Sequence, residues 1–174
     1  ISKRDRVIRD EIHRDILVPA HHARIIDTPE FQRLRSIQQL STCEYVFPAA
    51  THNRFAHSLG AYFLAGELAE HLHEVHPGLM SPEDEELVRL AALLHDIGHP
   101  PYSHLLETPR VFATFASHEA WGRKMLESNG TEIGQVVREV LGDERLGRLF
   151  ALMNGDDTHN GHPIPKYLKE IVSS

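Results

Sequence analysis

The chain has 174 residues, enough for one domain with a hydrophobic core that needs no disulfide. Hydrophobic residues make up 41% and charged residues 25%, as in an ordinary soluble globular protein. The formal net charge of −7 gives no basic field for nucleic acid or anionic lipid, so a polyanionic ligand would need local cations or a metal. The single Cys43 excludes an internal disulfide, and no apolar run approaches the ~20 residues of a membrane span. We therefore predict a cytoplasmic protein without a membrane partner.

The N-terminal half carries two helical patterns. Residues 7–18, which precede them, mix β-branched and charged side chains and suit a short β-hairpin. Thr28 has the character of an N-cap and Pro29 that of a first helical residue, which together open a predicted helix. Its apolar side chains recur at helical spacing at Phe31, Leu34, Ile37 and Leu40. A second predicted helix covers residues 53–76 and ends at a Pro-Gly pair.

The C-terminal half also has helical patterns. Ser81 and the acidic residues after it start a helix that runs into residues 95–96 and stops near Gly98. Further helices are predicted over residues 118–128, 132–141, 144–152 and 167–172, with a polar loop over 154–165. The fold class predicted for residues 1–174 is a single all-α domain, a helical bundle with the short hairpin at its N-terminus.

Histidine is unusually frequent, with 14 residues. Some of them, such as His71 and His73, lie among glutamates and fit a solvated helix face. Four other segments concentrate imidazole and carboxylate groups: His57; His95 with Asp96; His99 with His104; and His118 with Glu119. These groups are suitable ligands for Mn, Mg, Fe or Zn without any thiol.

The His95-Asp96 pair is the centre of the predicted site. A His-Asp dipeptide occurs often by chance, so the pair alone is a weak signal. It ends an apolar helix, however, where a charged Asp96 is costly to bury without a counter-ion. Side chains of neighbouring helical residues point about 100° apart. The pair can therefore bind one cation only where another helix packs closely and supplies further ligands. His57, on another predicted helix, is a natural further ligand.

Four motifs resemble those of the HD-domain deoxynucleoside triphosphate triphosphohydrolases, a family that includes the dGTPases and enzymes with a sterile alpha motif. They are residues 25–35 (IIDTPEFQRLR), 45–48 (YVFP), 53–60 (NRFAHSLG) and 95–104 (HDIGHPPYSH). Because the motifs recur in order and at similar spacing over roughly residues 5–120, the resemblance is far more specific than the dipeptide. It implies the HD helical bundle.

The resemblance also implies a metal-ligand set. His57, His95 and Asp96 match the first three positions of the family's signature, which is a His, a His-Asp pair and a distant Asp. In the family the fourth ligand follows a segment similar to residues 170–173, EIVS. We therefore expect that ligand beyond Ser174, in a longer chain of which this is the N-terminal portion. The solvated loop residues Asp156 and Asp157 are not expected to replace it.

By the same resemblance the activity is metal-dependent hydrolysis of a dNTP to a deoxynucleoside and inorganic triphosphate. His118 matches the proposed general acid and His99 its acid-base or phosphate-contacting partner, with Glu119 orienting His118. The implied substrate contacts are Arg54 as a phosphate clamp, His104 on phosphate, and Gln39 and Leu40 near sugar and base.

A regulatory nucleotide site is a further implication. Asp27, Gln32 and Arg35 match positions that recognise a guanine nucleotide between subunits in relatives with a sterile alpha motif, and these relatives also imply a homo-oligomer. Read without the resemblance, the three residues are an N-cap region and two surface positions of one helix. Arg9 stands where such relatives have asparagine, which counts against activation by GTP.

Two other functions stay open at this point. One is an HD phosphohydrolase for another nucleotide or for single-stranded nucleic acid, although the acidic balance counts against a nuclease. The other is a non-catalytic HD module that senses a nucleotide.

Overall fold

The computed structural model describes residues 4–102 and 116–172. Two N-terminal strands, β1 (Arg6–Asp10) and β2 (Arg14–Val18), precede the helices. The helices are α1 (Ala20–Ile26), α2 (Pro29–Gln32), α3 (Arg54–Val75), α4 (Pro82–Leu94), α5 (His118–Glu127), α6 (Glu132–Met153) and α7 (Lys166–Val172). His104 lies outside the described residues. Among the helices that are described, none combines the length and apolar character that crossing a bilayer requires.

The predicted hairpin and the all-α class are both confirmed. β1 and β2 pair antiparallel, with Arg6 opposite Val18 and Asp10 opposite Arg14. Side chains alternate between the two faces of β2: Ile16 and Val18 point into the core while Leu17 is exposed. The buried face of β2 therefore packs the hairpin against the helices.

Helix starts follow the sequence closely because capping is local. Asn53, Ser81, Ser117 and Thr131 precede α3, α4, α5 and α6, and each side chain accepts a backbone N–H from the first turn of its helix. The two helices predicted over residues 132–152 form one element, α6, with a break at Gly142, where φ is +75°. Glycine suits that left-handed conformation because it has no Cβ.

The helix predicted from Thr28 through Leu40 is wrong in its second half. α2 covers Pro29–Gln32 and a 3-10 turn continues over Arg33–Ser36. The chain is then extended: the Arg54 N–H donates to the Ile37 carbonyl, and Gln38 pairs with Asn53 in an isolated bridge. Pairing with the start of α3 overrides the helical spacing, because it satisfies the backbone of both segments.

Helix α1 and a two-residue hairpin are features that the sequence reading missed. α1 buries Ala23, Ile25 and Ile26, yet it is too short for a full periodic pattern. The hairpin joins β3 (Thr158–His159) to β4 (His162–Pro163) inside the predicted polar loop. The core lies where α3 packs against α4, with α6 and α7 also against α4, and this packing places the start of α3 beside the end of α4.

Candidate metal centre

His57, His95 and Asp96 are brought together by two helix ends. His57 lies in the first turn of α3, whose start is held by the Asn53 cap. His95 follows α4 directly, and its N–H still donates to the Ala91 carbonyl, which continues the helical path. Asp96 therefore projects from the end of an apolar helix toward the start of another, as the His-Asp context predicted.

The three side chains converge on a common point. His57 Nε2 lies 3.2 Å from His95 Nε2 and 3.5 Å from an Asp96 carboxylate oxygen. His95 Nε2 lies 3.4 Å from the other Asp96 oxygen. One ligand atom from each residue lies within 4.8 Å of the others, which is a spacing that can hold a metal ion. These three residues are called the metal group below.

The protonation states of His95, His57 and Asp96 favour the binding of a cation. His95 Nδ1 lies 2.8 Å from the Ala92 carbonyl, to which it can donate only as Nδ1–H, and this leaves the Nε2 lone pair facing His57 and Asp96. Burial lowers the pKa of His57, which favours the neutral imidazole that a metal binds. Burial raises the pKa of Asp96, but the hydrogen bond with His99 and the nearby cationic groups outweigh it and hold that pKa well below its usual range. The carboxylate is therefore ionised.

Arg54 is the buried counter-ion of Asp96. Its guanidinium is 4% exposed and donates to Asp96 Oδ2 at 2.5 Å and to the Gln39 carbonyl at 3.5 Å. This contact brings Gln39 next to the metal group, while Leu40 beside it is exposed. The phosphate-clamp role of Arg54 and the substrate roles of Gln39 and Leu40 stay predictions.

A second group shares Asp96 with the first. His99 is buried and its Nε2 lies 3.3 Å from Asp96 Oδ1, and the rings of His99 and His118 stack with centroids 3.8 Å apart. His118 Nε2 lies 3.2 Å from the exposed Glu119 carboxylate. The predicted catalytic residues His99 and His118 thus share Asp96 with the metal-binding candidates His57 and His95.

A glycine contact brings α5 to this site. A Cβ built on Gly98 would lie 2.0 Å from the His118 carbonyl oxygen and 2.3 Å from the Gly122 nitrogen. Those distances are far below any real contact, so only glycine allows the turn after Asp96 to touch α5. The close approach of Gly98 to His118 and Gly122 therefore holds α5 against the turn that follows Asp96.

Arg33 is a site residue that the sequence reading missed. Its two terminal nitrogens donate to the carbonyls of Ile97 and His99 at 2.6 and 2.8 Å. The side chain therefore clamps the backbone of the turn that carries His99. No local pattern could have indicated this contact, because the partners lie 64 and 66 residues away along the chain.

We expect the substitution Arg33→Gln to loosen that turn. Loss of two charge-assisted hydrogen bonds should lower the free energy of unfolding by about 2 kcal/mol, measured by urea denaturation. Metal affinity, measured by titration calorimetry, should fall by about tenfold, because groups that orient the ligands contribute on that scale. The matched control is Arg9→Gln on the exposed hairpin, where both quantities should hardly change. Equal effects in the two variants would contradict the clamp.

The residues predicted to bind a regulatory nucleotide lie close together at α1 and α2. Asp27 accepts two hydrogen bonds from Arg6 at 2.6 and 2.7 Å, and the Arg6 partner lowers the pKa of this carboxyl. Gln32 donates to the Ile26 carbonyl and accepts from Arg35, whose guanidinium stacks on Phe55. Arg6 was missed by the sequence reading. The regulatory role stays a prediction.

An open cavity of 590 Å³ adjoins the metal group. His57 and His95 form part of its wall, and the rest is mainly apolar and includes Leu64, Leu68 and Ile171. Its volume falls within the range of small-molecule sites.

Comparison with known proteins assigns the family. Residues 54–169 match the HD domain family, and the match includes His57, His95, Asp96 and the stacked histidines. The chain belongs to the HD domain family, which confirms the resemblance drawn from the motifs. Metal binding through His and Asp side chains is the chemistry of this family and agrees with the geometry described above.

Relatives extend the similarity beyond the domain. An uncharacterized protein of Methanocaldococcus jannaschii is 47% identical over 122 residues, which is 70% of this chain and 24% of the relative. The deoxynucleoside triphosphate triphosphohydrolase SAMHD1 of Xenopus laevis is 43% identical over 136 residues, 73% of this chain and 22% of the relative. The human SAMHD1 is 52% identical over 103 residues, 59% of this chain and 16% of the relative. The chain thus spans about a quarter or less of the length of these relatives.

Proposed function

We propose that this chain carries the metal-binding and acid-base residues of a phosphohydrolase that cleaves a dNTP to a deoxynucleoside and inorganic triphosphate. The observation that carries the proposal is that two groups share Asp96, one with His57 and His95 and the other with His99 and His118. The SAMHD1 relatives are deoxynucleoside triphosphate triphosphohydrolases by name, which supports the choice of substrate.

The residues fit a divalent ion. His57 and His95 offer Nε2 atoms, and the ionised Asp96 offers an oxygen that also balances the buried Arg54. Such an ion, Mn, Mg, Fe or Zn, would hold a phosphate oxygen, offset its charge and lower the pKa of a water. Arg54 holds the Asp96 carboxylate in place through its hydrogen bond to Oδ2. The hydrogen bond between His95 Nδ1 and the Ala92 carbonyl fixes the orientation of the His95 ring.

The stacked pair supplies the proton transfer in this proposal. His118 is partly buried and its Nε2 lies 3.2 Å from the Glu119 carboxylate. The protonated Nε2 would donate to the leaving 5′-oxygen of the deoxynucleoside. His99 lies against the His118 ring and contacts Asp96, so it orients His118 relative to the phosphate held by the metal group.

The proposal is tested on the full-length protein by incubating each of the four dNTPs with Mn²⁺ or Mg²⁺, with and without GTP, and separating the products by chromatography. We expect deoxynucleoside and triphosphate in equal amounts. In a His95→Ala, Asp96→Ala variant the rate should fall by about 10³-fold or more.

The matched control for that experiment replaces His71 and Glu74, an exposed His and acid pair on α3, with alanine and should keep full activity. Release of a monophosphate and pyrophosphate would point to another phosphohydrolase. No turnover of any dNTP under any of these conditions would refute the proposal.

A further inference from the structure

A second cluster of metal-ligating side chains lies on other elements. His21 and His22 lie on α1, and Glu86 lies in the first half of α4. Glu86 precedes His95 by about 13 Å along the helix axis at 1.5 Å per residue, so this cluster is separate from the metal group at the end of α4. The function proposed above does not use it.

The three side chains approach one another closely enough to hold a metal ion. Both His21 Nε2 and His22 Nε2 approach the same oxygen, Glu86 Oε1, at 3.0 and 3.3 Å. Tetrahedral Zn²⁺ with bonds of about 2.0–2.1 Å places neighbouring ligand atoms about 3.3 Å apart. The two nitrogen–oxygen distances therefore match two edges of such a tetrahedron, and one ligand atom from each of the three residues lies within 4.8 Å of the others.

Neighbouring residues hold two of these ligands in place. His22 Nδ1 lies 2.8 Å from the Tyr62 hydroxyl, which fixes the ring plane and directs Nε2 toward Glu86. Arg145 on α6 donates to Glu86 Oε2, so the other oxygen, Oε1, is the one that faces the histidines. Burial lowers the pKa of His22 to about 4, and a neutral imidazole is the form that binds a metal. His21 is half exposed and leaves an approach from solvent.

The charges around the cluster decide which ions suit it. Arg145 offsets the charge of Glu86, and Arg89 lies over the Tyr62 ring with its guanidinium 4.5 Å from the centroid. A hard ion such as Mg²⁺ or Ca²⁺ prefers several carboxylate or carbonyl oxygens, whereas this cluster, among the described residues, offers one carboxylate, that of Glu86. Two imidazoles and one carboxylate instead match Zn²⁺ or Co²⁺, bound more weakly than in a site with more anionic ligands.

We propose that His21, His22 and Glu86 form a second metal site, specific for ions of the Zn²⁺ class, with water as the fourth ligand. A metal there joins α1 to α4, and through Arg145 to α6, so its effect is on stability. The alternative is a hydrogen-bond network that never takes up metal. Catalysis does not depend on this site, so the two proposals stand or fall separately.

The test uses Zn²⁺ and Co²⁺ as the probes on the full-length protein. Titration calorimetry should find one Zn²⁺ fewer per chain in His21→Gln than in the unchanged protein, and saturating Zn²⁺ should raise the Tm of the unchanged protein more than that of the variant. In a His57→Ala, His95→Ala background, Co²⁺ should still give the visible absorption bands of a tetrahedral complex, and His21→Gln should remove them.

Two features of the design keep the outcome clear. His21 is half exposed, so its substitution should not prevent folding, and the calorimetric comparison needs no change in the first metal group. The control His71→Gln, on the exposed face of α3, should change neither the stoichiometry nor the bands. Equal Zn²⁺ stoichiometry in His21→Gln and the unchanged protein would overturn the second site, whereas dNTP hydrolysis by His21→Gln should be unaffected either way.

Discussion

The substitution Asp96→Ala should lower the free energy of unfolding by about 3–5 kcal/mol and also abolish metal binding at the first group. The large stability loss has a specific cause, because the change removes the carboxylate that balances the buried charge of Arg54. His57→Ala should abolish metal binding as well, yet cost far less stability, because 37% of the His57 side chain is already exposed. Urea denaturation in the presence of a chelator measures the free energy of unfolding without any contribution from bound metal.

A double variant separates the two roles of Asp96. Arg54→Leu combined with Asp96→Leu replaces the buried ion pair by apolar side chains of similar size, which is often close to neutral for stability. The double variant should recover much of the stability that Asp96→Ala loses and remain unable to bind metal. If Asp96→Ala and His57→Ala proved equally stable, the ion pair would not be the source of the effect.

The substitution Gly98→Ala should also have a large effect, although one methyl group is the only change. The new Cβ would lie 2.0 Å from the His118 carbonyl oxygen, and both groups belong to backbone that cannot rotate away. α5 must therefore shift, which should cost about 3 kcal/mol or more and move His118 away from His99. Thermal denaturation and the rate of dNTP hydrolysis measure the two consequences.

Two other glycines supply a graded comparison. On Gly122 a Cβ would meet the Ile97 side chain at 3.1 Å, which can adjust in part, so Gly122→Ala should show an intermediate loss. On exposed Gly130 it would meet only Ser128 Oγ at 3.4 Å, and Gly130→Ala should be nearly neutral. Similar losses at all three positions would show that the close approach of the turn and α5 is not the cause.

The metal group is the part of the site that sequence reasoning anticipated best. The cost of burying Asp96 at the end of an apolar helix pointed to a cation, and the motifs pointed to His57 as a partner. The structure places these side chains within contact distance of one another. The buried position of Arg54 against Asp96 was not anticipated, since an arginine next to an N-cap looks solvent-exposed in the sequence.

The helices also include features that the sequence predicted and features that it did not. α3, α4, α5 and α6 begin where the sequence predicted, because each start is set by a cap that bonds to its own first turn. The segment from Ile37 to Leu40 has helical spacing and is not helical, because its backbone finds partners at His52 and Arg54 that periodicity cannot reveal.

Local features of the chain therefore determined the helix starts, the break at Gly142, the all-α class and the family. The tertiary structure decided which polar groups meet: Arg33 with the turn after Asp96, α5 with Gly98, and the α1 histidines with Glu86. The physical reason is the range of the interactions. Caps and periodicity act within a few residues, whereas these contacts join side chains far apart in the sequence and exist only once the helices have packed.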